Sequence, residues 1–296
     1  MTKDRNFIFL LIFAMVLWGL SWPTAKIVTT YASEYTLLFW RFLLTTLGTI
    51  PLMWYFKQPF SFSKKGLKYI ALGTFFIFTY NIFFFLGLRY GLSGLGGVLV
   101  TTLNPILTFF IVALISRKSF SPIQMIGLLL AIIGGSLIIR VWEVDAHTLM
   151  QGGNLFFLIA SLLWAFLTLS SSGGKAHVPV LTFSFYLYLG TTIISFVMAD
   201  KGEIYQSLFF DMTFWINMFF ISVIVTSIAT TIYFKASTVL GSAIASSFIF
   251  LVPATAIVGS FLILGEIPRI STIIGGIICI SAVGLINKNS VKLTTN

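Results

Sequence analysis

Long apolar runs separated by short polar turns repeat along the whole chain. A helix rising 1.5 Å per residue needs about 20 mostly apolar residues to cross a hydrocarbon core. Ten runs meet that need: Phe7–Lys26, Tyr35–Phe56, Leu67–Leu88, Leu92–Ile115, Pro122–Ile139, Gly153–Ser172, Pro179–Met198, Met212–Phe234, Leu240–Leu264 and Ile270–Asn287. The connectors between the third and fourth runs, and between the eighth and ninth, are very short, so the pattern places those two boundaries least sharply. Within the fourth run stands Asn104-Pro105, a helix-breaking pair at a depth where a freed backbone group is costly.

Composition agrees with a membrane chain. Of 296 residues 58% are hydrophobic and 9% charged, whereas a soluble domain carries about 25% charged residues. The single cysteine, Cys279, excludes an intramolecular disulfide framework and a thiolate metal cluster. His147 and His177 have no ligand partners at metal spacing, so no metal and no cofactor are expected. Lys3 and Arg5 precede the first apolar run as they would in a signal peptide, but the run is long and no small-x-small site follows; a retained first helix is expected. The net charge of +10 is not gathered into a basic stripe or a known motif, which excludes nucleic acid as a partner.

Charge instead reports topology. With the N-terminus in the cytoplasm, twelve Lys and Arg fall on the inner segments and six at the outer ends, as the positive-inside rule requires. Both termini are therefore expected inside, in a multi-pass protein of the bacterial inner (plasma) membrane. Among the acids only Asp4 falls inside.

The chain also repeats itself. Pro105 in TTLNPILTFF has a counterpart in Pro253 of FIFLVPATAIV, 148 residues later, and Leu103, Leu114, Ile126 and Gly127 have matches at the same offset. Leu17-Trp18 is matched by Leu163-Trp164, 146 residues on. Residues 1–140 and 153–288 are thus expected to form two five-helix repeats, joined by 141–152 and followed by a tail, 289–296. An odd number of spans forces the second copy to enter from the opposite face. The fold class expected is an all-α integral membrane protein of ten transmembrane helices in two inverted repeats, a plan shared by many secondary transporters.

The ordered motifs resemble the EamA branch of the drug/metabolite transporter superfamily. LWGLSWPTAK, with Trp18, Gly19 and Lys26, looks like that family's first helix; WRFLL resembles its second, in Arg41-Phe42; LILGEIP, ending in Gly265-Glu266, looks like its closing motif. The first repeat departs from it, with Arg117-Lys118 where the second has Gly-Glu. The resemblance covers nearly the whole chain. It implies a carrier that exports or exchanges small metabolites, amino acids or related compounds among them, and leaves the substrate open.

Binding in such carriers is expected near the midplane, at interrupted helices between the repeats. The candidates for substrate contact are Trp18 and Ser21, Tyr80 and Asn81, Thr102 and Asn104, Trp164 and Thr168, and Ser247, with Pro105 and Pro253 as hinges. Asn104 can donate and accept, which suits either a cavity wall or a hydrogen bond between helices. Trp22 is expected nearer the membrane edge, as an anchor or gate. Lys26, Glu34, Arg41 and Glu266 mark the outer mouth. Glu34 precedes Arg41 by seven residues, on one helical face, which suggests an ion pair; snorkelling is the other reading for Lys26. Gly91–Gly97, Gly134-Gly135 and Gly275-Gly276 suit close helix packing rather than phosphate binding.

No nucleotide-binding motif is present, so the expected function is secondary, non-ATP transport by alternating access. Every Asp and Glu falls at a span end or in a loop, which points to a facilitator, an exchanger, or coupling without a mid-membrane carboxylate. A channel and an intramembrane enzyme are the other classes; the enzyme lacks an embedded acid, base or metal set. The expected partners are the lipid bilayer and a small-molecule substrate, with the protein a monomer or a homodimer.

Overall fold

In the structure, a computed structural model, residues 2–116, 121–143, 153–233, 235 and 248–287 are described. All regular elements among them are helical. The first half contains α1 (Thr2–Val28), α2 (Glu34–Tyr55), α3 (Leu67–Tyr90), α4 (Ser93–Ser116) and α5 (Pro122–Ile139). The second contains α6 (Asn154–Gly174), α7 (Val180–Met198), a short α8 (Lys201–Ser207), α9 (Met212–Phe219) running into a π-helical segment (Phe220–Ala229), α10 (Leu251–Leu264) and α11 (Ile270–Asn287). Among the described residues seven helical stretches are long and apolar enough to cross a membrane, Leu251–Leu264 and Ile270–Ala282 are shorter apolar helices, and the protein is a multi-pass membrane protein.

The helices pack across the two halves. α2 lies on α7, α4 on α10 and α5 on α11. Most of the remaining large contacts come as pairs: α1 on α10 and α6 on α4, α3 on α6 and α9 with its π segment on α1, α3 on α7 and the π segment on α2. Exchanging the halves maps the first three contacts onto themselves and the members of each pair onto one another, while α4 on α11 has no comparable counterpart. In lipid the driving force is close packing rather than water exclusion, so small residues set the approach. At the α5–α11 crossing, a Cβ on Gly134 would stand 2.8 Å from the Gly275 carbonyl oxygen, and one on Gly275 would stand 2.6 Å from that of Gly134.

The prolines act differently from what the sequence suggests. α4 runs without interruption through Asn104-Pro105. Pro253 is the third residue of α10, directly after the 3-10 turn Phe248–Phe250. A proline in a first turn removes a donor that has no helical acceptor anyway, so it is accommodated rather than disruptive. The irregular helix lies elsewhere, in the ten-residue π segment. There the Thr226, Ser227 and Thr230 hydroxyls each donate to a carbonyl five residues back. The same segment meets α2 in a buried exchange: Thr45 donates to the Ser222 carbonyl at 3.2 Å and Ser227 to the Thr45 carbonyl at 3.0 Å.

Candidate functional site

A helix leaves its first N–H groups unsatisfied, and a carboxylate placed there gains both hydrogen bonds and the helix dipole. Two acids of the second half do this for helices of the first. α10 ends at Gly265, whose φ of +68° is a left-handed cap that glycine adopts without strain. The turn carries Glu266 to the start of α4. There it accepts from the Ser93 and Gly94 N–H groups at 3.1 and 3.0 Å and from the Ser93 hydroxyl at 2.9 Å. Lys26, near the end of α1, completes the cluster, donating to Glu266 at 2.8 Å and to the Gly91 carbonyl at 2.6 Å. Glu203, from α8, does the same for α2: its carboxylate accepts from the Ser33 N–H at 2.8 Å and from the Ser33 and Thr36 hydroxyls.

Burial works against both carboxylates, but the hydrogen bonds outweigh it. Glu266 is held below its ordinary pKa by Lys26 and the Gly94 and Ser93 amides, and Glu203 by the hydroxyls of Ser33 and Thr36 and the Ser33 amide. The other ionic contacts lie at the same end. Arg89, closing α3, pairs with Glu34 at 2.9 Å, and Arg140 and Arg269 gather at Glu143. The Tyr31 hydroxyl donates to Asp211 at 2.9 Å. A cleft of about 580 Å³ opens among Lys26, Arg89 and Glu203. The opposite end is different. There the halves meet through neutral bonds, Thr182 to the Pro59 carbonyl at 2.6 Å, Tyr186 to that of Phe60 at 2.8 Å and Ser170 to that of Tyr69 at 2.9 Å. The Lys235 ammonium lies there over the Phe56 ring, 5.6 Å from its centre.

The Glu34–Arg41 pair expected from the seven-residue spacing is not formed. Glu34 turns to Arg89 instead, and Arg41, seven residues and about 10 Å further along α2, points into the bundle. Its guanidinium lies 5.1 Å from the centre of Phe84, 5.6 Å from Phe85 and 6.0 Å from Phe42. Nε and Nη1 are buried without a hydrogen-bond partner. Tyr80, 5.8 Å from Phe84, and Tyr188, 5.8 Å from Phe42, stand close enough to act on its charge.

Of the residues expected at a site, Tyr80 and Trp164 come together, their rings 4.7 Å apart across α3 and α6. Trp18 is elsewhere, 5.3 Å from Tyr233 in a cluster with Met15 and Val225. Ser21 donates to the Trp18 carbonyl, Thr168 to that of Trp164 and Thr102 to that of Val98, all within their own helices. Asn104 accepts from Thr108 one turn on. Asn81 is buried, donates to the Ile77 carbonyl and leaves its own oxygen unpartnered. Trp22, expected at the membrane edge, is buried between Phe84 and Phe157 at the contact between the halves. Ser247 and the Arg117-Lys118 turn lie outside the described residues. Glu203 and Arg89 were not singled out by sequence: Glu203 precedes no motif, and only the fold brings it to Ser33.

Three comparisons bear on the chain. The EamA-like transporter family matches it twice, over residues 5–140 and 151–288. "Uncharacterized transporter YyaM" of Bacillus subtilis (strain 168) is 24% identical over 286 residues, covering 95% of this chain and 93% of that protein. An "Uncharacterized transporter" of Archaeoglobus fulgidus is 23% identical over 284 residues, covering 93% and 95%. One crystal structure, 15% identical, superposes with a TM-score of 0.60 over 97% of this chain and 98% of that one, a likeness of fold alone. The family matched in each half is the one that LWGLSWPTAK and LILGEIP resemble, and the chain belongs to the EamA-like transporter family.

Proposed function

We propose that this protein is a secondary transporter that moves a small metabolite by alternating access between two inverted five-helix repeats, working as an exporter or exchanger. The observation that carries this reading is the inequality of the two ends. One is tied across the halves by the carboxylate contacts Lys26–Glu266 and Glu203–Ser33/Thr36, whereas at the other the described residues join the halves through neutral hydrogen bonds and the Lys235 ammonium on the Phe56 ring. A carrier closed at one end needs contacts there that bind the halves and can be given up when the other end closes. The exchange of contacts supports a duplicated arrangement of the halves, and inversion follows from the odd number of spans read in each repeat. By the positive-inside rule the ionic end is the outer one, which leaves both termini in the cytoplasm.

The substrate path in this reading passes the aromatic centre where α2, α3, α6 and α7 bring Arg41, Tyr80, Trp164 and Tyr188. The test is counterflow in liposomes holding the purified protein, with a panel of labelled amino acids and related metabolites. Saturable uptake accelerated by unlabelled substrate inside is expected. Flux linear in concentration and indifferent to the trans side would establish a channel instead.

A further inference from the structure

Among the described residues, Arg41 is a centrally placed charge for which the surrounding helices supply no counter-ion. Glu34, one face and two turns away, is engaged by Arg89, and Glu266 and Glu203 are held at the α4 and α2 N-termini. Nε and Nη1 are buried and donate to nothing. A buried donor left unpaired costs about 1–3 kcal/mol, and a buried charge more. The three phenylalanine rings at 5.1, 5.6 and 6.0 Å offset part of that cost, because a cation is attracted to a ring face. They cannot accept in the guanidinium plane, so the five-donor fork is unused while the charge is held in place. The residue nevertheless keeps some accessible surface, so it is not sealed in protein.

A guanidinium fork surrounded by rings and with buried donors left unused is suited to a planar oxyanion, which it binds through two parallel N–H donors. We propose that Arg41 is the anchor for the carboxylate of the transported molecule, and that the substrate is a small carboxylate with a flat or apolar body. This rests on the transport reading above. The Tyr80 and Tyr188 rings pack on two of the phenylalanines around Arg41, each 5.8 Å away, and the Tyr80–Trp164 pair, 4.7 Å apart, offers the apolar body its surface. Transport then has a physical logic: substrate neutralises a charge that is costly when unpaired, so the loaded carrier is easier to close around its centre than the empty one.

Matched probes test this on the full-length protein in detergent. Phenylacetate is compared with phenylacetamide, and L-phenylalanine with L-phenylalaninamide, by shift in melting temperature and by equilibrium binding. The carboxylates are expected to stabilise the wild type at least tenfold more potently than their amides. Arg41→Gln is expected to abolish the preference and Arg41→Lys, which keeps the charge without the fork, to weaken it. An equal response to acid and amide, no response to either, or an unchanged preference in a folded Arg41→Gln would overturn the proposal; the wild-type comparison stands even if both variants fail to fold. Counterflow of the same compounds separates the two readings. Carboxylate binding without counterflow would sink the transport reading and leave the anchor, whereas counterflow confined to uncharged or cationic compounds would sink the anchor and leave transport.

Discussion

At the scale of single residues, Glu266 joins more partners than any other acid described, and its role is electrostatic. It satisfies two orphan amides of α4, a hydroxyl and the Lys26 ammonium at once. Charge-assisted hydrogen bonds contribute about 1.5–3 kcal/mol each to such sites, more than an exposed ion pair. Glu266→Gln keeps a hydrogen-bond acceptor but loses the charge, so a loss of about 1–2 kcal/mol at this end is expected. In a background carrying Ala25→Cys, beside Lys26 and buried in the wild type, an impermeant maleimide should label the Gln variant roughly tenfold faster, as that energy implies. The pH dependence has a definite sign. The Glu266 pKa is lowered in the folded protein, so its stabilisation is complete above the ordinary value of 4.5 and is lost as pH falls through the lowered one. The melting temperature should hardly change with pH on account of this group above about 5 and should fall below about 4.5, and Glu266→Gln should flatten that decline. The sequence placed Lys26, Glu34 and Glu266 at one end of the chain's spans through charge alone. It did not show which acid meets which base, because Lys26 and Glu266 are 240 residues apart.

Among the elements, α5 and α11 show how glycine sets the approach of two membrane helices. The Gly134 and Gly275 carbonyls each stand where the other's Cβ would be, and backbone cannot yield as a side chain can. Gly275→Val should cost about 1–3 kcal/mol or more through overpacking, read as a lower melting temperature in detergent. Gly284, whose Cβ would meet nothing within 4 Å, is the matched control, and Gly284→Ala should change little. Apolar length located these helices in the sequence, and the glycine pairs were legible as packing sites. The prolines do not interrupt their helices as the sequence pattern suggests, since a proline reads as a breaker wherever it stands. α4 continues through Pro105, and Pro253 occupies the tolerant first turn of α10. The π segment had no sequence signal: Phe220–Ala229 is an ordinary apolar run with scattered hydroxyls, and its wide winding is tied to the buried exchange with Thr45.

For the whole molecule, the two ends differ in chemistry although the halves repeat, and a cross-link can exploit that difference. Lys26 and Glu266 meet only through the tips of two long side chains, so cysteines at both positions should be bridged by a reducible bifunctional thiol reagent that replaces the lost length, fixing the ionic end shut. Counterflow should then fall to background and return on reduction, while the native Cys279, buried between α5 and α11, should not interfere. Unimpaired counterflow in the fully cross-linked double variant would remove the alternating-access reading. Sequence by itself determined the class of this protein: apolar length per run, scarcity of charge and the recurrence of motifs at a fixed offset are local or periodic properties, and each survives without knowing any contact. It also placed the charged residues at span ends, since lipid excludes them from elsewhere. Tertiary structure decided which of them pair, which helix Glu203 and Glu266 cap, and that Arg41 turns from the mouth into an aromatic centre without a partner. Those outcomes depend on how helices from opposite halves are brought together, and a contact between residues 240 positions apart leaves no periodic trace along the chain.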